Sequence, residues 1–285
     1  MKLVATSLFC TLILATPGHA QAPFAAFDRA SEPVLADPHD LTVGPDGRLY
    51  VADKDNSRIV VMDAETLEVI ETFGDGALPG VRDISFGAAG KAYTAVASAG
   101  SVAVYSVGDG APALDRVLGR FARPEGVLAH SGGRLFVMAS ASGQLIAIEN
   151  GEAVATIDGF FGAHDVAEGL DGSLWVADFR RRRLVQLSPD LEVLNILDDA
   201  KFGFAGPRYL DVDDFGRLVV SDRGANRVLL IDPLSREILG VLGDGAPGIG
   251  PNKFNDPEGV AAHGNAYYFS DADNARVVRY VVVIN

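Results

Sequence analysis

The sequence predicts an all-β protein, a six-bladed β-propeller whose ring is closed by an N-terminal strand in the last blade. Three observations carry this. One unit recurs six times at spacings of 39 to 50 residues, each unit holds short apolar runs separated by turns, and the sixth unit is one strand short.

The stretch PHDLTVGPDGRLYVADKDNSRIVVMD at residues 38–63 sets the pattern. A proline and a charged residue lead into an apolar run; a Gly turn, a second run ending in Asp and an Asn/Arg turn into a third follow. The same order opens at Pro38, Val81, Pro124, Ala163, Pro207 and Pro257, with spacings of 43, 43, 39, 44 and 50 residues. The runs are short and rich in Val, Ile, Leu and Tyr. None holds a 3.6-residue period long enough for a helix, which excludes a helical solenoid. Fourth strands are predicted at LEVIETFG (67–74), LEVLNILD (191–198) and REILGVLG (236–243). The sixth unit ends in RVVRYVVVIN without one. An incomplete last blade leaves an open sheet edge, and PFAAFDR at 23–29 is apolar enough to fill it.

The chain of 285 residues is 48% hydrophobic and 22% charged, which suffices for a large core. Residues 1–20, MKLVATSLFCTLILATPGHA, read as a signal peptide: Lys2, an apolar stretch from Leu3 to Ala15, and small residues at Gly18 and Ala20. Cleavage near Ala20 or Ala22 leaves residues 21–285 as a single propeller, periplasmic or extracellular. The apolar stretch is shorter than the roughly 20 residues of a bilayer span. Cys10, the only cysteine, falls in the leader, so the mature chain has no disulfide and no thiolate, and its chemistry must use His, carboxylates, Tyr or Arg. Against 24 basic residues stand 38 acidic ones, a net charge of −14 that repels phosphate backbones and argues against a nucleic-acid partner. The run Arg180–Arg183 is the local exception and is expected to be a solvated turn. The protein is expected to act as a monomer.

The stretches GRLYVADKDNSRIVVMD and NAYYFSDADNARVVRY resemble NHL repeats, whose mark is an Asp ending the second strand and an Arg opening the third. The matching pairs are Asp53 with Arg58, Asp178 with Arg183, Asp222 with Arg227 and Asp271 with Arg276. Blades two and three depart, with Val96 and Ser101 in one and Ala139 and Gln144 in the other. These pairs are expected to be structural, the carboxylate accepting backbone N–H groups and the Arg reaching a carboxylate. DKDN and DADN have calcium-like spacing but lack the Gly and distal Glu of a complete loop.

The position after each opening residue holds His39, Arg82, Glu125, His164, Arg208 and Glu258, the order His, Arg, Glu twice over. In a meander blade the first strand lines the central channel, so all six side chains are expected at one channel mouth. Such a set can bind a metal or an anionic ligand. The structural alternative pairs Arg82 with Glu125 and Arg208 with Glu258 as buried salt bridges between blades.

PHDLTV with LYVAD, and AHDVAE with LWVAD, resemble the histidine-bearing repeats of peptidyl-hydroxyglycine alpha-amidating lyases. Those enzymes are six-bladed propellers that hold zinc through three histidines, with arginines nearby. The resemblance implies His39 and His164 as zinc ligands and Arg82 or Arg208 as a clamp on a substrate carboxylate. The family's histidines sit on alternating blades, whereas His39 and His164 are three blades apart. A metal, zinc or calcium, would draw on His39, His164, Glu125 and Glu258. By architecture, a lactonase-type metal would instead use Glu125, Glu258 and Asp165. The competing expectation is a propeller that binds a small molecule, a peptide or a protein at the mouth, with Phe121, Phe160, Phe161, Phe202, Phe204 and Phe254 as candidate contacts. The loop at 243–255 is a candidate flap.

Overall fold

The computed structural model describes residues 23–108, 110–198 and 200–282. The signal peptide expected at residues 1–20 and its cut near Ala20 or Ala22 lie outside the described residues. The described residues form six four-stranded antiparallel sheets. The inner strands are Pro38–Val43, Val81–Gly87, Pro124–Ala129, Val166–Glu168, Pro207–Val212 and Pro257–His263. Each touches the inner strand of the next blade, and the sixth touches the first, so the sheets form a closed ring.

Closure takes the form the sequence predicts. Strand Ala26–Ala30 adds antiparallel to Arg276–Val281, with Phe27 opposite Tyr280 and Ala30 opposite Val278. Phe24 and Phe27 meet Tyr267 and Tyr280 edge-on at 5.4 and 5.6 Å, and Arg279 Nη1 lies 2.5 Å from Asp28 Oδ2.

The core lies between blades. Side chains alternate along a strand, so the blade-one residues Leu49, Val51, Val60 and Met62 pack toward Tyr268 and Val277 of blade six. Their neighbours Tyr50, Ala52, Ile59 and Val61 pack toward Ile84, Ala92 and Val96 of blade two. Both faces of each middle strand are therefore buried, which is why these strands read as continuous apolar runs. The three predicted fourth strands occur at Val69–Phe73, Val193–Leu197 and Glu237–Leu242. Those of blades two and three, Ala113–Gly119 and Glu152–Asp158, are largely exposed and carry little apolar pattern.

The four Asp–Arg pairs fix the mouth-side turns. Arg58, Arg183, Arg227 and Arg276 each donate Nε–H to the Asp five residues earlier at 2.8 to 2.9 Å. The other oxygen of each Asp accepts a backbone N–H from the segment leading into the inner strand: Ala36, Phe161, Ala205 and Asn255. All four carboxylates are fully buried. The pair is thus a staple between a hairpin and the approach to its own blade.

Candidate functional site

In five blades the pairing of the inner strand with the second slips just after the opening residue, as between Pro38 and Leu41 or Pro207 and Tyr209. Such a bulge bends the strand and re-aims side chains. It places both the residue after the opening position and the next one at the axis. The first set is the predicted six, His39, Arg82, Glu125, His164, Arg208 and Glu258. The second is Asp40, Asp83, Gly126, Asp165, Tyr209 and Gly259.

The structure brings the six together. Arg82 Nη1 donates to His39 Nε2 and lies 3.4 Å from Glu125 Oε2. Arg208 Nη2 lies 3.5 Å from His39 Nε2, and its Nε is 2.5 Å from Glu258 Oε2. His164 Nε2 is 3.6 Å from Glu125 Oε2. Two arginines absent from the predicted set join them: Arg123 Nε contacts Glu125 Oε1 at 2.5 Å, and Arg223 Nε contacts Glu258 Oε1 at 2.9 Å. Glu125 and Glu258 are buried beneath these guanidinium groups.

The two histidines face each other across the axis with the Tyr209 ring between them, 6.2 Å from each. Tyr209 reaches from blade five across the channel, its hydroxyl 3.4 Å from the Arg82 carbonyl oxygen in blade two. Nδ1–H of His39 donates to Asp37 O at 3.2 Å and that of His164 to Gly162 O at 2.7 Å. Burial first, and then the neighbouring arginines, hold both imidazoles well below the usual histidine pKa. Each is therefore neutral with its lone pair on Nε2. That of His39 is taken up by Arg82.

As metal ligands, His39, His164, Glu125 and Glu258 do not form a set. Among the described residues no three of their donor atoms lie within 4.8 Å of one another, since guanidinium groups stand between them. Asp165 lies one residue deeper in the channel.

Above the six opens a cavity of about 650 Å³. Arg82, Arg123, Arg180, Arg208 and Arg223 line it with His164, and its apolar walls are Phe160, Phe161 and Phe179. Among the described residues no carboxylate lines it. Arg180, expected as part of a solvated turn, lies 5.6 Å from the Phe161 ring centroid and 5.9 Å from that of Phe179, with no carboxylate partner among the described residues. Of the other aromatic candidates, Phe202, Phe204 and Phe254 are buried in the core and Phe121 packs against the cluster between blades two and three. The 243–255 loop contributes no residue to the cavity. It is pinned to blade six instead, Asn274 donating to Gly248 O, Arg276 to Ile249 O and Tyr280 to Pro251 O.

Fold and mouth together define a six-bladed β-propeller with a cationic, aromatic-walled channel mouth. The chain belongs to the family described as "Domain of unknown function (DUF5074)", which matches residues 39–197, more than half of its length. No curated protein matches it by sequence. Solved structures similar to it include a streptogramin B lyase at 13% identity and a TM-score of 0.67, covering 93% of this chain and 100% of that one. Virginiamycin B lyase from Staphylococcus aureus, at 12% identity and a TM-score of 0.63, covers 87% and 96%. The PQQ-bound aldose sugar dehydrogenase from Streptomyces coelicolor, at 13% and 0.61, covers 90% and 97%. At these identities the likeness is one of fold, and the fold serves lyases and a dehydrogenase alike.

Proposed function

We propose that this protein is an exported, NHL-type propeller that binds a small or peptidic ligand at its channel mouth, the ligand being an anion with an aromatic or apolar part. One observation carries the reading: five arginines and three phenylalanines converge on one cavity with no lining carboxylate among the described residues, in a chain of net charge −14. A local potential opposite to the protein's overall charge selects for anions, and Arg binds carboxylates in a bidentate fork. The aromatic walls supply apolar contact area and fix orientation. The export part rests on the leader-like residues 1–20; intact mass of the exported chain tests it, with Gln21 or Pro23 expected first.

The binding test is thermal denaturation with N-acetyl-phenylalanine, glycyl-phenylalanine and the uncharged N-acetyl-phenylalaninamide. The two carboxylates are expected to raise Tm and the amide not. Arg180→Ala should abolish the response without changing the unliganded Tm. Equal responses to acid and amide would overturn the reading.

A lyase is the second reading, favoured by His164. Its Nε2 lone pair borders the cavity beside Arg82 and Arg208, where a base could take a proton next to a carboxylate and the guanidinium groups could stabilise the resulting enolate. The similarity in fold to streptogramin B lyases is compatible with this and does not carry it.

A further inference from the structure

We propose that the channel beneath the arginine layer holds a second site, for one hard divalent cation, Ca²⁺ in the first instance, bound by Asp40, Asp83 and Asp165. Asp40 and Asp83 lie on the inner strands of blades one and two and Asp165 immediately precedes that of blade four, each directly after a mouth residue. One carboxylate oxygen from each lies within 4.8 Å of the others. Two oxygens bound to a single Ca²⁺ at about 2.3–2.6 Å are at most about 5 Å apart, a limit that every pair of the three meets.

A cluster of acids can be nothing more than three strand ties, and two of these residues are indeed tied. Asp83 Oδ2 accepts Val127 N–H at 2.5 Å. Asp165 Oδ2 accepts Leu210 N–H at 2.8 Å, and its Oδ1 accepts Val166 N–H at 2.7 Å. Asp40 is different. It is 8% exposed, it lines the cavity below, and its Oδ1 is buried with no hydrogen-bond partner among the described residues. A buried acceptor left unpartnered is costly. Nor does any Lys or Arg ion-pair with the three among the described residues, although arginines crowd the layer immediately above.

The surroundings suit a cation that prefers oxygen. The cavity, about 170 Å³, is lined by the three Asp with Thr42, Ser85, Glu168 and Asp211 as further oxygen donors, and by no His or Cys among the described residues. It has room for about five waters at ~30 Å³ each, enough to complete the 6–8 ligands of Ca²⁺. None of the six mouth residues lines it, so it is separate from the ligand cavity. Glycine at 259 lets the inner strand of blade six pack closely against that of blade one beside Asp40, since a Cβ there would fall 2.4 Å from His39 O and 2.9 Å from Asp40 Oδ1. A cation here would tie three blades at the axis.

The test uses the full mature chain, stripped with EDTA and dialysed. Calorimetric titration with CaCl₂ is expected to show one saturable site, with Tm rising several degrees at millimolar Ca²⁺, and MgCl₂ is expected to act more weakly. Asp40→Asn should lose the Ca²⁺ response while keeping the Tm response to N-acetyl-phenylalanine; Arg180→Ala should do the reverse. Should Asp40→Asn fail to fold, native mass spectrometry of the wild type decides, with one chelator-reversible Ca²⁺ per chain expected. No saturable binding of either ion, or a Ca²⁺ response in Asp40→Asn equal to wild type, would overturn the proposal.

Discussion

Glu125 Oε2 and His164 Nε2, from neighbouring blades, lie 3.6 Å apart and are both acceptors. The histidine proton is on Nδ1, directed at Gly162 O, and Glu125 Oε2 is buried without a hydrogen-bond partner among the described residues. Two lone pairs thus converge just beneath the arginine cavity, where His164 borders it and Glu125 Oε2 is held 3.4 Å from Arg82 Nη1. His164→Gln can turn its amide N–H toward Glu125. We expect this variant to fold with a stability within about 1 kcal/mol of wild type, or slightly higher, and to lose its Tm response to N-acetyl-phenylalanine. Destabilisation by several degrees with the response intact would make His164 a structural residue.

Glu258 gives a pH dependence. Burial pushes its pKa up to about 8, against the pull of Arg208 and Arg223. With the folded pKa above the unfolded value, the folded chain binds the extra proton. Its stabilising contribution is present in full below the ordinary carboxylate pKa and is lost as pH rises toward 8. The slope in that window is about 1.4 kcal/mol per pH unit. Glu258→Gln removes this dependence, so denaturant midpoints of wild type and variant should converge near pH 5 and separate toward pH 8, the wild type falling. Parallel profiles would place the Glu258 pKa outside that window.

Asp178 links fold to site, because its two oxygens hold Arg183 Nε and the backbone N–H of Phe161, a wall of the cavity. Asp178→Ala leaves a guanidinium and an amide without their buried acceptor, at a cost of about 3–5 kcal/mol. We expect a large fall in Tm and a weaker ligand response, whereas Arg180→Ala should affect the response alone. If the two variants behave alike, the wall is not held by the staple.

The blade period and the six mouth positions were legible because every unit repeats an opening residue followed by an ionisable one. The Asp layer was less so. A strict period of two sends Asp40 to the face opposite His39, and only the bulge after the opening residue brings both to the axis. The signal was nevertheless present in the triplets PHD, VRD and AHD, where Asp follows the mouth residue three times. Arg180 and Arg223 were missed because both sit in short turns just after a staple Asp, positions that sequence alone reads as solvated. The outer strands Ala113–Gly119 and Glu152–Asp158 have one covered edge and little buried face, so no apolar alternation marked them.

Ring closure can be tested without touching either site. Strand Ala26–Ala30 is the only segment joining the N-terminal side of the described chain to blade six by strand pairing, and it adds Phe27 against Tyr280 and Asp28 against Arg279. Phe27 is half-buried, so Phe27→Ala should cost about 2 kcal/mol, less than a full core truncation. Removing residues 23–30 costs more, since it also exposes the hydrogen-bonding edge of Arg276–Val281. We expect the truncated chain to melt well below Phe27→Ala and to aggregate on heating, through pairing of the freed edges. A truncated chain that melts as Phe27→Ala does, without aggregation, would show that the first and sixth blades hold the ring through their core contacts alone.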